Sequence, residues 1–301
     1  MTVEDEIIRQ IDMRKRATKA ASAEKRFERK EVIPVIERAH TRAKQIFCDR
    51  AYAIQAPDFF SVYGEKAVKA DMLEVIARRK RWNEKHTDYD RVTDQMSTVL
   101  EAVILVHSKK SDWLGGANTK KTSSWDDYEN KTDMFAEWFS PKSGSLPLAL
   151  AVDVTFGKLG VANKLSAIRK EIDSGELGSI KYFQDERGDF KGTRYNVPRT
   201  VVGVSTQVLE TLANLWMRND DAALKDHPIQ TLIMNEIYTQ LVAMRAYAET
   251  QGKSKVVAAY EQAIAVMEQL RDKKVKVPLN NLAFDRIGNE IIQQTAQIFK
   301  R

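Results

Sequence analysis

Residues 148–156 read LALAVDVTF, and this stretch decides the fold that the sequence predicts. Seven of its nine residues are apolar, which is typical of a strand buried on both faces. Asp153 interrupts the run, although an unpaired carboxylate is costly to bury. We therefore expect Asp153 to have a partner or a chemical role.

A second short strand is predicted upstream, at residues 132–138 (TDMFAEW). The connection over 139–147 is polar and contains Gly and two Pro, so it can reverse the chain. If the two strands pair, their alternation places Asp133 and Asp153 side by side on one face. Close carboxylates repel each other unless a cation or a shared proton lies between them, and Mg²⁺ takes such oxygen ligands. The sequence therefore predicts a Mg²⁺ site, with Mn²⁺ as an alternative ion.

The hydrophobic period changes after Gly157. Apolar residues recur at helical spacing over 161–172, and further strands are predicted at 179–183 and 199–204. A helix between strands is a crossover connection of the kind found in mixed sheets. The predicted class is therefore α/β (α+β), with a small mixed sheet.

Three regions are predicted along the 301 residues. Residues 1–94 form a helical, basic N-terminal region, 95–204 form the α/β core, and 205–301 form helices that pack on the core. No run of eighteen apolar residues is found, and the polar start MTVEDEIIRQ is unlike a signal peptide. We expect a cytoplasmic protein without a membrane partner. Cys48 is the only cysteine, which excludes an internal disulfide and a Cys-based zinc site.

A second misplaced carboxylate, Glu101, lies in the apolar segment 96–107 (MSTVLEAVILVH). A buried carboxylate needs a counter-charge or a metal. Two interpretations stay open, a salt bridge to an arginine or a place beside Asp133 and Asp153. The polar segment 109–130 is predicted to be a loop, in which Asp126 and Asp127 are turn or cap residues and spare carboxylates.

The helix predicted at 69–85 carries four adjacent cations in front of Trp82. Cations beside an indole can contact phosphates while the ring stacks on a base, although such a run is also typical of solvated surface. Residues 14–30 hold eight Lys or Arg against two Glu, as a solvated arm, a phosphate-contacting arm or a coiled coil. The net charge of +6 permits a nucleic-acid partner. The four cations are Arg78, Arg79, Lys80 and Arg81.

From about residue 95 to 204, this arrangement resembles the PD-(D/E)XK nuclease superfamily. The resemblance lies in an apolar helix with an embedded Glu, a hairpin that carries an Asp and then a second acid, and a following helix and strand. It implies a restriction-endonuclease-like core in which Asp133 and Asp153 hold Mg²⁺ and Glu101 assists. The Lys of the motif is absent, because Thr155 stands two residues after Asp153.

Related families place this lysine on the following helix, and Lys164 is the position that fits there. Lys164 is at the edge of the predicted apolar stripe, and Lys181 on the next strand is the reserve.

Mg²⁺-dependent cleavage of DNA by an endonuclease is the leading hypothesis from the sequence. Two alternatives stay open. The first is a non-catalytic nucleic-acid-binding protein on a nuclease-like scaffold, which Thr155 favours. The second is a helical protein-interaction module in which Asp153 is an ion-pair partner. A homodimer is compatible with all three hypotheses.

Overall fold

The computed structural model of the chain describes residues 34–84, 87–140, 144–153, 158–273 and 285–300. The first part contains helix α1 (34–47), a 3-10 turn at Ala56–Phe59, α2 (Phe60–Tyr63), α3 (Glu65–Asn83) and α4 (Asp88–Lys110). The middle part contains β1 (Asn118–Lys121), α5 (Ser124–Asn130), β2 (Met134–Ser140), β3 (Gly144–Asp153), α6 (Lys158–Ser174), β4 (Gly178–Gln184), β5 (Lys191–Val197) and β6 (Arg199–Gly203). The last part contains α7 (Thr206–Met217), α8 (Asp221–Lys225), α9 (Ile229–Thr250), α10 (Ser254–Lys273) and α11 (Arg286–Ile298).

The central sheet has four strands in the order β1–β2–β3–β6. Strand β2 is antiparallel to both of its neighbours, whereas β6 runs parallel to β3. A parallel pair needs a long crossover, and α6 with the separate β4–β5 hairpin supplies it. The mixed α+β class predicted from the sequence is confirmed.

The two faces of the sheet pack against different elements because side chains alternate along β2. Met134, Ala136 and Trp138 belong to the larger hydrophobic core, which also includes the buried part of α4. Phe135 points to the other face and contacts Phe183 of β4, with ring centroids 5.0 Å apart. Helix α4 and the β4–β5 hairpin therefore cover opposite faces.

The outer edge of β6 is paired with side chains of α9 instead of another strand. The N–H of Val201 donates to Gln240 Oε1 at 2.8 Å, and Gln240 Nε2 donates back to the carbonyl of Val201 at 2.6 Å. The N–H of Gly203 donates to Glu236 Oε2 at 3.3 Å. An open edge would leave these backbone groups without partners, so α9 completes the sheet.

We expect Gln240→Leu to destabilise the protein, because Gln240 is fully buried and its amide satisfies two backbone groups of β6. Each buried group left without a partner costs about 1–3 kcal/mol. Urea unfolding of the variant measures the loss. The exposed Gln251→Leu is the control, and equal midpoints for the two variants would contradict the prediction.

Three segments predicted to be connections form secondary structure instead. Most of the predicted connection 139–147 belongs to the ends of β2 and β3, which pair there. The predicted loop 109–130 contains β1 and α5, and the residues between the strands predicted at 179–183 and 199–204 contain β5. Strands β1 (NTKK) and β5 (KGTRYNV) lack the apolar alternation by which strands are identified. Pairing with β2 and β4 stabilises them. The predicted arm at 14–30 and Thr155 lie outside the described residues.

Candidate functional site

Three carboxylates and one ammonium group meet near the end of the sheet where β1 finishes and β2 begins. We call this group the acidic cluster, and it consists of Glu101, Lys121, Asp127 and Asp133. The ammonium of Lys121 lies 2.6 Å from Glu101 Oε2 and 3.5 Å from Asp127 Oδ2. The side chains of Asp127 and Asp133 share a hydrogen bond. Each member comes from a different element, so the tertiary fold assembles the cluster.

The position of Asp127 on α5 depends on the contacts of its neighbour Asp126. Ser123 caps the helix, and its side chain accepts a hydrogen bond from the N–H of Asp126. The carboxylate of Asp126 accepts the N–H groups of Lys181 at 2.6 Å and Tyr182 at 3.1 Å, which ties α5 to β4. A capped helix fixed to a strand holds its side chains in defined positions, so the position of Asp127 follows.

Asp133 is held by its backbone at the start of β2. Its carbonyl accepts the N–H of Thr122 at 3.2 Å and the hydroxyl of Thr122 at 3.1 Å. From the other side, Arg199 of β6 donates to the carbonyls of Asn130 and Lys131 at 2.9 and 3.0 Å. Together, these contacts fix the turn that leads into Asp133.

The acidic cluster carries more negative than positive charge. Glu101 is only 5% exposed, whereas the side chain of Asp127 is 34% exposed. Burial and the charges of Asp133 and Asp127 raise the pKa of Glu101 to about 8, against the lowering effect of Lys121. Burial and Asp133 raise the pKa of Asp127 to about 6, again against the effect of Lys121. One ammonium does not balance three carboxylates, so the cluster retains a proton near neutral pH.

The cation of the cluster is firmly protonated. Burial lowers the pKa of Lys121, but the charges of Glu101, Asp127 and Asp133 outweigh burial and raise it above the ordinary value. A fixed positive charge in a water-poor position acts strongly on any negative charge that forms beside it. Lys121 is therefore both a structural partner for Glu101 and an electrostatic element of the site.

Because the pKa of Glu101 is raised to about 8, its contribution to stability is present at low pH and is lost as pH rises from about 4.5 towards 8. Glu101→Gln removes this titration. We expect the free energy of unfolding of the parent, relative to the variant, to fall between pH 5 and pH 8, by up to about 1.4 kcal/mol per pH unit. Urea titrations in EDTA measure the difference, and a constant difference across this range would contradict it.

The predicted neighbourhood of Glu101 and Asp133 is present in the structure. The predicted arginine partner of Glu101 was wrong, because its counter-ion is Lys121. Both Lys121 and Asp127 lie in the segment predicted to be a loop, so Lys121 was missed and Asp127 was interpreted as a cap or turn residue. The signal available for Lys121 was the need of buried Glu101 for a cation on the element that follows α4.

Asp153 is the last residue of β3, and its backbone pairs with Gly203 of β6. Met134 pairs with Leu150, so the level of Asp133 corresponds to Ala151. Asp153 is therefore two residues, about 7 Å, further along the strand. The side chain of Asp153 is outside the described part of the structure.

The two lysines predicted to replace the motif lysine lie on α6 and β4, as the sequence predicted. Lys164 is half-buried on α6, and the principal charges that act on Glu101 and Asp127 do not include it. Lys181 forms an ion pair with Asp71 and lies 4.6 Å from the ring centroid of Trp125. Lys121 contacts Glu101 and Asp127 of the acidic cluster.

The basic run of α3 is partly used to hold α5. Arg78 lies 2.6 Å from Glu74 and also forms an ion pair with Glu129 of α5. Arg79 lies over the ring of Tyr128, which is also in α5, at 5.9 Å from the ring centroid. Lys80 and Arg81 are exposed, so contact with phosphates remains a prediction for this surface.

Within the described ranges, no group of three or more His, Cys, Asp and Glu side chains has an arrangement that could hold a metal ion. In the acidic cluster, Lys121 lies within ion-pair distance of both Glu101 and Asp127. None of the helices described has both the length and the apolar character needed to cross a membrane. In comparisons with known proteins, no family model, curated protein or solved structure matches the chain.

Proposed function

We propose that the protein is a Mg²⁺-dependent nuclease that cleaves phosphodiester bonds in DNA, and that the acidic cluster is its catalytic centre. The observation that carries the proposal is the meeting of Glu101, Asp127 and Asp133 around a single ammonium. Such an excess of negative charge in a mostly buried place favours binding of a further cation.

The order of elements supports a restriction-endonuclease-like core. Helix α4 carries the buried Glu101, the β2–β3 hairpin follows with Asp133 and Asp153, and α6 leads to the parallel strand β6. This is the order on which the resemblance to PD-(D/E)XK nucleases rests. The β4–β5 hairpin lies between α6 and β6, where it would be an insertion into such a core.

Carboxylate oxygens are the ligands that a hard divalent ion takes, and the negative charge of the cluster is not fully balanced by Lys121. Asp133, Asp153 and Glu101 would hold Mg²⁺, with Asp127 beside them. When bound, the ion would stabilise negative charge on a phosphate and make a nucleophilic water more acidic.

The chain's own residues supply the remaining chemistry. Asp127 is more exposed than Glu101, and its raised pKa of about 6 lies near the working pH of a general base. We propose that Asp127 accepts the proton of the attacking water. Lys121 stays protonated, so its charge stabilises the negative charge that develops on the phosphate. Lys121 thus takes the role that the sequence suggested for Lys164.

The direct test incubates the purified chain with circular and linear DNA in Mg²⁺, in Mn²⁺ and in EDTA. We expect cleavage with either metal and none in EDTA or with Asp133→Asn. Asp133→Asn is matched by Asp221→Asn, an exposed acid on α8 that pairs with Lys110. If neither metal supports cleavage by the parent, or if Asp133→Asn cleaves as the control does, the proposed activity is wrong.

A non-catalytic nucleic-acid-binding protein is the second candidate, and the ion pair between Lys121 and Glu101 favours it. At 2.6 Å, this pair resembles a structural salt bridge that needs no metal. The candidate predicts salt-dependent DNA binding without cleavage, reduced by charge reversal at Lys80 and Arg81. It also predicts that Asp133→Asn binds DNA as the parent does.

A further inference from the structure

A cavity of about 210 Å³ opens between β5 and α10, beside the β2–β3 hairpin. Trp138 and Leu148 contribute to its lining from the sheet, and Ala259 and Ala263 contribute from α10. The alanine side chains are too short to fill the space between the helix and the hairpin. Pockets for drug-sized ligands measure roughly 300–1,000 Å³, so this cavity suits a single ring system.

The lining of the cavity is positive and aromatic. Arg194 and Lys255 are its charged residues, and no Asp or Glu lines it. Lys255 is exposed and has no ion pair with any described carboxylate. An unpaired ammonium beside apolar surface attracts an anion whose other part is apolar.

Two aromatic rings border this space. Tyr195 is 72% exposed, so its ring is open to solvent beside the cavity. Trp138 is fixed by its indole N–H, which donates to the carbonyl of Leu114 at 3.0 Å. Gln262 adds an exposed amide that can both donate and accept hydrogen bonds. Aromatic rings with a nearby cation and an amide are the groups that proteins use to bind unpaired bases.

We propose that this cavity binds one nucleotide unit, with its base beside Tyr195 and its phosphate near Lys255 and Arg194. The same chemistry is offered by a free mononucleotide and by an unpaired nucleotide in a strand. The assignment to a strand rests on the proposed nuclease function. Along β2, Trp138 is five residues from Asp133, about 17 Å, so a bound strand would contact the cavity away from the acidic cluster.

The test measures binding in EDTA, where cleavage plays no part. The probes are a labelled ten-nucleotide oligothymidylate, a duplex of equal length, and the mononucleotides dTMP and AMP. The variants are Tyr195→Ser, Lys255→Gln and Ala263→Leu, of which the last fills the cavity. Lys170→Gln, at an exposed lysine of α6, is the matched control, and thermal unfolding confirms that each variant is folded.

We expect the parent to bind the single strand more tightly than the duplex. Tyr195→Ser should weaken this binding about 5- to 100-fold, as loss of base stacking does. Lys255→Gln should weaken it and reduce its salt dependence, and Ala263→Leu should weaken it without changing that dependence. Equal affinity for a mononucleotide and the strand would identify a free nucleotide as the ligand, with the same variants affected.

Two results would overturn the assignment. One is that the parent binds none of the probes, and the other is that all three variants bind as Lys170→Gln does. The cleavage test and the binding test distinguish a failure of the nuclease proposal from a failure of the cavity proposal. A chain that does not cleave but loses binding in these variants contradicts the nuclease and supports the cavity.

Discussion

Lys121→Met will destabilise the protein by about 3–5 kcal/mol at pH 8, because it removes the single ammonium from a group of three carboxylates. The carboxylate of Glu101 would then be buried without its counter-ion. At pH 5 the loss will be smaller, since protonation removes the repulsion when the pKa of Glu101 is raised to about 8. Urea unfolding at the two pH values measures both effects.

Lys120→Met is the matched control. Lys120 is adjacent in β1, faces the opposite side of the strand, and forms no ion pair with any described carboxylate. Addition of Mg²⁺ gives a second readout. If the cluster binds the ion, Mg²⁺ will stabilise Lys121→Met more than the parent, because the ion then supplies the missing positive charge. Equal stabilities of Lys121→Met and Lys120→Met at pH 8 would contradict the role of Lys121.

The parts of the site that the sequence predicted are those in which charge conflicts with hydrophobicity. Glu101 interrupts the part of α4 that is buried from Val99 to Ser108, and Asp133 precedes a strand with buried apolar residues on both faces. A carboxylate in such a place needs compensation wherever the rest of the chain lies. The need of Glu101 and Asp133 for a counter-charge was therefore predictable from their own segments alone.

The residue that compensates was not predictable in the same way. Lys121 ends a four-residue strand of polar residues, and β1 forms only because β2 pairs with it and Thr119 packs under α4. Its identity as the partner of Glu101 depends on which strand is next to α4. Local strand propensity does not show which strand lies next to α4, because tertiary contacts determine that neighbour.

The position of Asp153 relative to Asp133 was not predictable from the sequence either, because it depends on the strand register. Period-two alternation predicted the face on which each acid lies, whereas the level along the hairpin depends on the connection between the strands. The pairing of Met134 with Leu150 sets Asp153 beyond Asp133 and beside Gly203. The resemblance to a nuclease motif supplied the residue pair, and the fold added Asp127 at the level of Asp133.

If the acidic cluster is the catalytic centre that we propose, Asp127→Asn will lower the rate of DNA cleavage about 10²- to 10⁴-fold, the usual contribution of a general base. The rate of the parent should rise about tenfold per pH unit at acidic pH and level off once Asp127 is unprotonated, because only the unprotonated carboxylate acts as a base. Bound Mg²⁺ would place this point below the metal-free pKa of about 6, since a neighbouring positive charge favours the carboxylate. The residual rate of the variant should lack this dependence.

Calorimetric titration with Mg²⁺ distinguishes a base from a metal ligand. If Asp127 is the base, Asp127→Asn changes the rate and the pH profile but leaves Mg²⁺ affinity within about threefold of the parent, whereas a metal ligand would lose more. Asp221→Asn, at an exposed acid that pairs with Lys110, should match the parent in both measurements. A variant with the parent's rate and pH profile would exclude Asp127 as the base. The side chain of Asp127 is 34% exposed, so water can reach it, whereas Glu101 is buried. Burial and the charge of Asp133 raise the pKa of Asp127 to about 6, close to the range in which a general base works.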